Sequence, residues 1–234
     1  MKESTKNILT LSREQMHLLA QKRVTEISKE FTDGFKFLEN YPKSITFFGG
    51  NQFREDSPYY QSARTLASRL VKELGFSVIS GGGPGIMEAA NRGAFEAGGS
   101  SLGLLIKLPF GQVTNKYITE EFSAYYFFIR KVCLSFSAEA FIFFPGGFGT
   151  LDEFFEILTL TQTKKVAGVP IICVGSDYWN KLKEFMKKEL MSRGTIGEEE
   201  LDLFHIIDDH DEIIKVIKNV NIQIGVPLPE QGLG

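Results

Sequence analysis

Between Phe122 and Phe144 the only charged residues are Arg130, Lys131 and Glu139. Two adjacent cations in so apolar a stretch need partners, because an unpaired buried charge is costly. The partner is either a core carboxylate or an anion at a sheet edge, and the planar fork of Arg130 suits a carboxylate or a phosphate equally. Glu153 is the acidic counterpart. A helix opening at Thr150 puts Leu151, Phe154, Phe155 and Leu158 on one stripe and leaves Asp152, Glu153 and Glu156 off it. Asp152 and Glu156 read as acidic complements to a helix dipole. Glu153 reads either as part of the same solvated face or as a group aimed at whatever the preceding glycine loop holds.

That loop is one of three. Phe48-Gly49-Gly50-Asn51, Ser80-Gly81-Gly82-Gly83-Pro84-Gly85 and Pro145-Gly146-Gly147-Phe148-Gly149-Thr150 each follow an apolar run and precede an amphipathic one. Glycine lets a ligand approach main-chain N–H groups, and a helix opening there favours an anion, typically phosphate. Thr150 is placed either to cap the helix or to offer its hydroxyl to a phosphate oxygen. One such cluster marks a tight turn. Three on one sheet edge point to a phosphate monoester held by two loops together. Neither long cluster fits G-x-G-x-x-G, and no Gly-Lys dipeptide is present, so the pattern argues against a typical NAD dehydrogenase or P-loop NTPase. His17, His205 and His210 make no metal-ligand spacing with Cys, Asp or Glu, and no Gly-x-Ser-x-Gly elbow occurs. Glu88, off the small-residue stripe Ile86, Ala89, Ala90, Gly93, Ala94, Ala97, reads as surface or as a ligand contact.

The elements that must position these residues alternate. Predicted strands are 44–48, 76–80, 101–107, 124–128, 140–144, 170–174 and a weak one at 205–207. Predicted helices are 59–74, 86–97, 129–136, 151–161, 178–191 and 211–220. Several strands are apolar on consecutive residues, as expected when both faces are covered. The pattern predicts an α/β fold, a doubly wound, mostly parallel Rossmann-like sheet spanning 44–234 behind an N-terminal helical extension, 1–43. Ser12 and Gln15 have capping-box spacing at the start of that extension, with Leu11 and Met16 as the accompanying hydrophobic staple.

Composition narrows the classes. The 234 residues are 43% hydrophobic and 24% charged, ordinary for a soluble globular protein. A net charge of -3 gives no global pull toward nucleic acid or an anionic membrane. No apolar run approaches a membrane span, and the opening residues lack the apolar core of a signal peptide, so a cytoplasmic location is expected. Two cysteines, Cys133 and Cys173, fit a reducing compartment.

With these residues in view, the chain resembles the LONELY GUY (LOG) family, in a bacterial branch. The resemblance is carried by Gly81-Gly82-Gly83-Pro84-Gly85-Ile86-Met87-Glu88-Ala89-Ala90-Asn91, by Arg130-Lys131 and by Pro145-Gly146-Gly147-Phe148-Gly149-Thr150-Leu151-Asp152-Glu153. It covers roughly 44–191. The family comprises cytokinin riboside 5′-monophosphate phosphoribohydrolases, often mislabelled as lysine decarboxylases. The resemblance implies cleavage of the N-glycosidic bond of AMP or a cytokinin riboside monophosphate, giving free base and ribose 5-phosphate, in a homodimer or higher homo-oligomer. It implies Arg130 and Glu153 as catalytic residues. It implies Gly82, Gly83, Glu88, Lys131, Gly146, Gly147, Gly149 and Thr150 as substrate contacts, with no metal and no organic cofactor. Plant-like members carry Met-His where Phe127-Phe128 stand here. The other reading is a Rossmann-like module that binds a nucleotide as a sensor or carrier without cutting it.

Overall fold

A computed structural model of the chain describes residues 12–108, 113–136, 138–166 and 168–220. Seven parallel strands form one sheet in the order β4-β3-β2-β1-β5-β6-β7. They are β1 (Ser44–Phe48), β2 (Ser77–Ser80), β3 (Ser101–Ile106), β4 (Glu120–Ala124), β5 (Ala138–Phe143), β6 (Ile171–Cys173) and β7 (His205–Ile206). The α-helices are α1 (Arg13–Leu38), α2 (Pro58–Leu74), α3 (Ile86–Glu96), α4 (Phe127–Phe136), α5 (Phe148–Gln162), α6 (Ser176–Phe185) and α7 (His210–Lys218).

The strands have both faces covered because their period-2 alternation serves two cores. Ile45, Phe47, Val78 and Ile142 point to one face, where α2, α3 and α7 pack on them. Phe48, Ile79, Phe141 and Phe143 point to the other, under α4, α5 and α6. This is the doubly wound arrangement expected of runs of consecutive apolar residues.

One strand is displaced from its expected place. The strand expected at 124–128 lies at Glu120–Ala124, and Phe127 already belongs to α4. Among the described residues the edge strand β4 pairs only with β3, and it leaves Glu120 and Glu121 in solvent. Charge on an edge strand blocks further strand addition, so the true strand is the less apolar segment. The aromatic run after it turns away, its start held by Glu30, which accepts from the amides of Tyr125 (2.6 Å) and Tyr126 (3.2 Å).

The extension opens with the expected capping box: the Ser12 amide donates to Gln15 Oε1 (2.9 Å) and the Gln15 amide to Ser12 Oγ (3.1 Å). Leu11 of the expected staple lies outside the described residues. The C-terminal half of α1 packs on α4, with Phe35 against Phe136 at 4.4 Å and Phe31 against Phe128 at 6.1 Å between ring centroids. The other half, with Met16, Leu18, Leu19 and Val24, is exposed.

Candidate active site

The chain leaves β1 toward β2 on one side of the sheet and leaves β5 toward β6 on the other, so a crevice opens between the carboxyl ends of β1 and β5. Ligands bind at such a switch point in open α/β sheets. All three glycine clusters reach it, and Gly50 ties them together. Its amide donates to Pro145 O (2.9 Å), and its carbonyl accepts from the Ile86 amide (3.1 Å) at the start of α3. The close approach needs glycine at Gly85, whose φ is +72° and whose added Cβ would strike the Gly50 carbonyl and sit 2.7 Å from the Asn51 backbone.

The crevice holds a cavity of about 320 Å³. Phe48, Gly81, Arg130, Gly147, Gly149, Thr150 and Glu153 are among the residues that line it. Arg130 reaches it from α4. Its guanidinium donates to Leu104 O (2.7 Å) and Gly81 O (3.4 Å), which pins the charge between β3 and the glycine loop after β2. A side chain at Gly81 would collide with that guanidinium and meet Met87 Sδ at 2.8 Å. Glu153 reaches the cavity from α5, which starts at Phe148, three residues before the helix expected at 151–161. Gly147 therefore takes the N-cap position and buried Thr150 stands inside the first turn, not at the cap.

Burial pushes the Glu153 carboxyl up to about 7, against the opposing pull of Arg130 and Lys131. Burial likewise lowers the Arg130 pKa, against the pull of Glu153. The two groups thus feel each other's charge in a largely desolvated site, the setting in which perturbed carboxylates cluster at functional positions.

The other residues singled out are dispersed. Lys131, next to Arg130, turns to α5 and pairs with Asp152 (2.9 Å) and Glu156 (2.7 Å), lining a neighbouring open groove with Phe155 and Leu160. Burial opposes its charge, but the two carboxylates outweigh it and raise its pKa. Asp152 and Glu156, read as dipole complements, are its partners. Glu88 accepts from Tyr60 Oη of α2 (2.9 Å) and does not line the cavity. Gly146 faces a second cavity on the far side of its loop, where its carbonyl accepts from Tyr178 Oη (2.9 Å).

Gly82 and Gly83 follow the lining residue Gly81 but do not themselves line the cavity. Gly82, at φ +74°, turns toward Leu105 and Ile118. Both are held by a buried amide network that sequence reasoning missed. Asn115 donates from its amide to Gly82 O (2.9 Å) and from Nδ2 to Gly83 O (3.1 Å) and Asn91 Oδ1 (2.9 Å). Asn91 also accepts from Ser80 Oγ (2.6 Å) and donates to Ser101 Oγ (2.9 Å) and Leu102 O (3.1 Å). The one signal for it was the polar Asn91 amid small apolar residues. Removing such a side chain strands several buried partners, so Asn91→Ala is expected to cost roughly 1–3 kcal/mol in urea unfolding.

Comparison with known proteins places this geometry in a family. The fold is that of Rossmann-type α/β proteins: the molybdenum cofactor binding protein of the phototrophic bacterium Rippkaea orientalis superposes with a TM-score of 0.55 at 20% identity, over 76% of this chain and 97% of that one. A family model described as "Possible lysine decarboxylase" matches residues 87–217, and the chain belongs to that family. Among its relatives is the cytokinin riboside 5′-monophosphate phosphoribohydrolase LOG7 of Arabidopsis thaliana, 30% identical over 148 residues, 62% of this chain and 68% of the relative. Another is the cytokinin riboside 5′-monophosphate phosphoribohydrolase of Rhodococcoides fascians, 29% identical over 148 residues, 62% of this chain and 75% of the relative. A further relative of the same name, LOG2 of Arabidopsis thaliana, is matched over only 57% of its length. The family is thus the LOG family that the glycine and Arg-Lys motifs resembled.

Proposed function

We propose that the protein is a nucleoside 5′-monophosphate phosphoribohydrolase, acting on AMP or a cytokinin riboside monophosphate. The observation that carries this reading is that Arg130 and Glu153, from different helices, line the same cavity as the glycine loop that opens α5. The free amides and dipole of that helix end suit a 5′-phosphate. Phosphate binding then fixes the ribose, supplying remote binding energy for a reaction elsewhere on the substrate.

Glycosidic cleavage passes through an oxocarbenium-like transition state, and a carboxylate beside the anomeric carbon stabilises its positive charge. The bond between C1′ and the base nitrogen breaks with its electron pair going to the base. Water adds to C1′, giving one proton to Glu153, which returns it to the leaving base. A carboxyl poised near 7 can take and release that proton at neutral pH. Arg130 keeps enough of Glu153 ionised for the first half of that exchange. A homo-oligomer, a cytoplasmic location and independence from metal or cofactor belong to the same reading. Among the described residues, no helix is long and apolar enough to cross a membrane.

The test is a product assay with AMP, cytokinin riboside monophosphates and the corresponding nucleosides. Equal amounts of free base and ribose 5-phosphate from a monophosphate, with little from its nucleoside, support the proposal. Binding of AMP with no base released would instead mark a nucleotide carrier.

A further inference from the structure

Phe148 is the first residue of α5 and, among the described residues, the most exposed large hydrophobic side chain, with 95% of its surface open to solvent. An apolar ring held in water at the lip of a site is costly unless something covers it during function. Gly147 and Gly149 flank it, and neither carries a side chain that could shield the ring from an incoming ligand. Phe148 lines the cavity that holds Arg130 and Glu153, and also the open groove beside Lys131 and Phe155. Inside that cavity, Phe48, Met87 and Leu134 add apolar wall beside the polar loop amides. The cavity is therefore two-sided: charge and N–H groups for a sugar phosphate, apolar and aromatic surface for a flat ring.

We infer that Phe148 is the residue that recognises the base, closing over the cavity with its ring stacked on the nucleobase. This inference rests on the nucleotide reading above and names the specificity element within it. Stacking selects by π-surface and tolerates varied substituents, so the site takes purines in preference to pyrimidines.

The test is calorimetric titration of the Glu153→Gln protein, which leaves AMP uncut, with AMP and separately with ribose 5-phosphate. Adding Phe148→Ala is expected to weaken AMP binding roughly tenfold or more and to leave ribose 5-phosphate binding unchanged. Adding Phe148→Trp instead should keep or tighten AMP binding. An exposed position makes misfolding of either variant an unneeded explanation, and unchanged circular dichroism checks it. Equal weakening toward both ligands, or none toward AMP, overturns the assignment of Phe148 while leaving the nucleotide reading in place. Failure of both ligands to bind before Phe148 is altered overturns that reading and the inference with it.

Discussion

Glu153→Gln is expected to lower the rate of base release from AMP by about 10² to 10⁴-fold, the range for loss of a positioned proton-transfer or charge-stabilising group. AMP affinity should stay within a few-fold, because the glycine loop and Arg130 are untouched. The replacement keeps the shape of the side chain and removes only its charge and its ability to exchange a proton. The wild-type pH profile carries the same information. Burial raises the Glu153 carboxyl to about 7, so the active carboxylate predominates above that pH and is titrated away below it. The sign is fixed: activity falls as pH drops through 7, about tenfold per unit once well below it. A profile flat from pH 5 to pH 8 contradicts this role.

Arg130→Ala has the second largest expected effect, and it is read from where the profile moves. Arg130 is the foremost of the charges that pull the Glu153 pKa down against burial. Without it the carboxyl rises further, and the acidic limb of the profile should shift upward by roughly one to three units. Activity at neutral pH then falls because Glu153 is protonated, and raising the pH restores part of it. In the Glu153→Gln background, Arg130→Ala should add little further loss, since two groups that act as one unit are not additive. Additive losses, or an unmoved acidic limb, would separate the pair. Arginine cannot be exchanged for lysine here without loss, because the fork bonds to both Leu104 O and Gly81 O.

The sheet was readable wherever both faces of a strand are buried, since β1, β2, β3 and β5 present consecutive apolar residues. It was misread at β4, where an edge strand carries Glu120 and Glu121 and the more apolar residues that follow begin a helix. Local signals also sufficed for the α1 cap, because Ser12 and Gln15 are three residues apart. The site was legible in part for the same reasons. Arg130 stood out as charge in an apolar stretch, and the glycine clusters marked the strand ends. Which glycine faces the cavity was not legible: backbone direction at Gly82, with φ +74°, turns that residue away and leaves Gly81 at the wall. Nor were the partners of Lys131, since periodicity alone assigned Asp152 and Glu156 to the helix dipole and not to a cation on α4. Asn115 is fixed to the glycine loop after β2 across 32 residues of sequence, a contact no local pattern encodes.

A crystal structure of the Glu153→Gln protein with AMP bound tests the central claim most directly. The account predicts the 5′-phosphate against the amides of the Gly147–Thr150 turn, with the ribose C1′ facing residue 153 and Arg130 beside it. A phosphate lodged elsewhere, for instance in the cavity beside Tyr59 and Tyr178, with C1′ remote from residue 153, would contradict it.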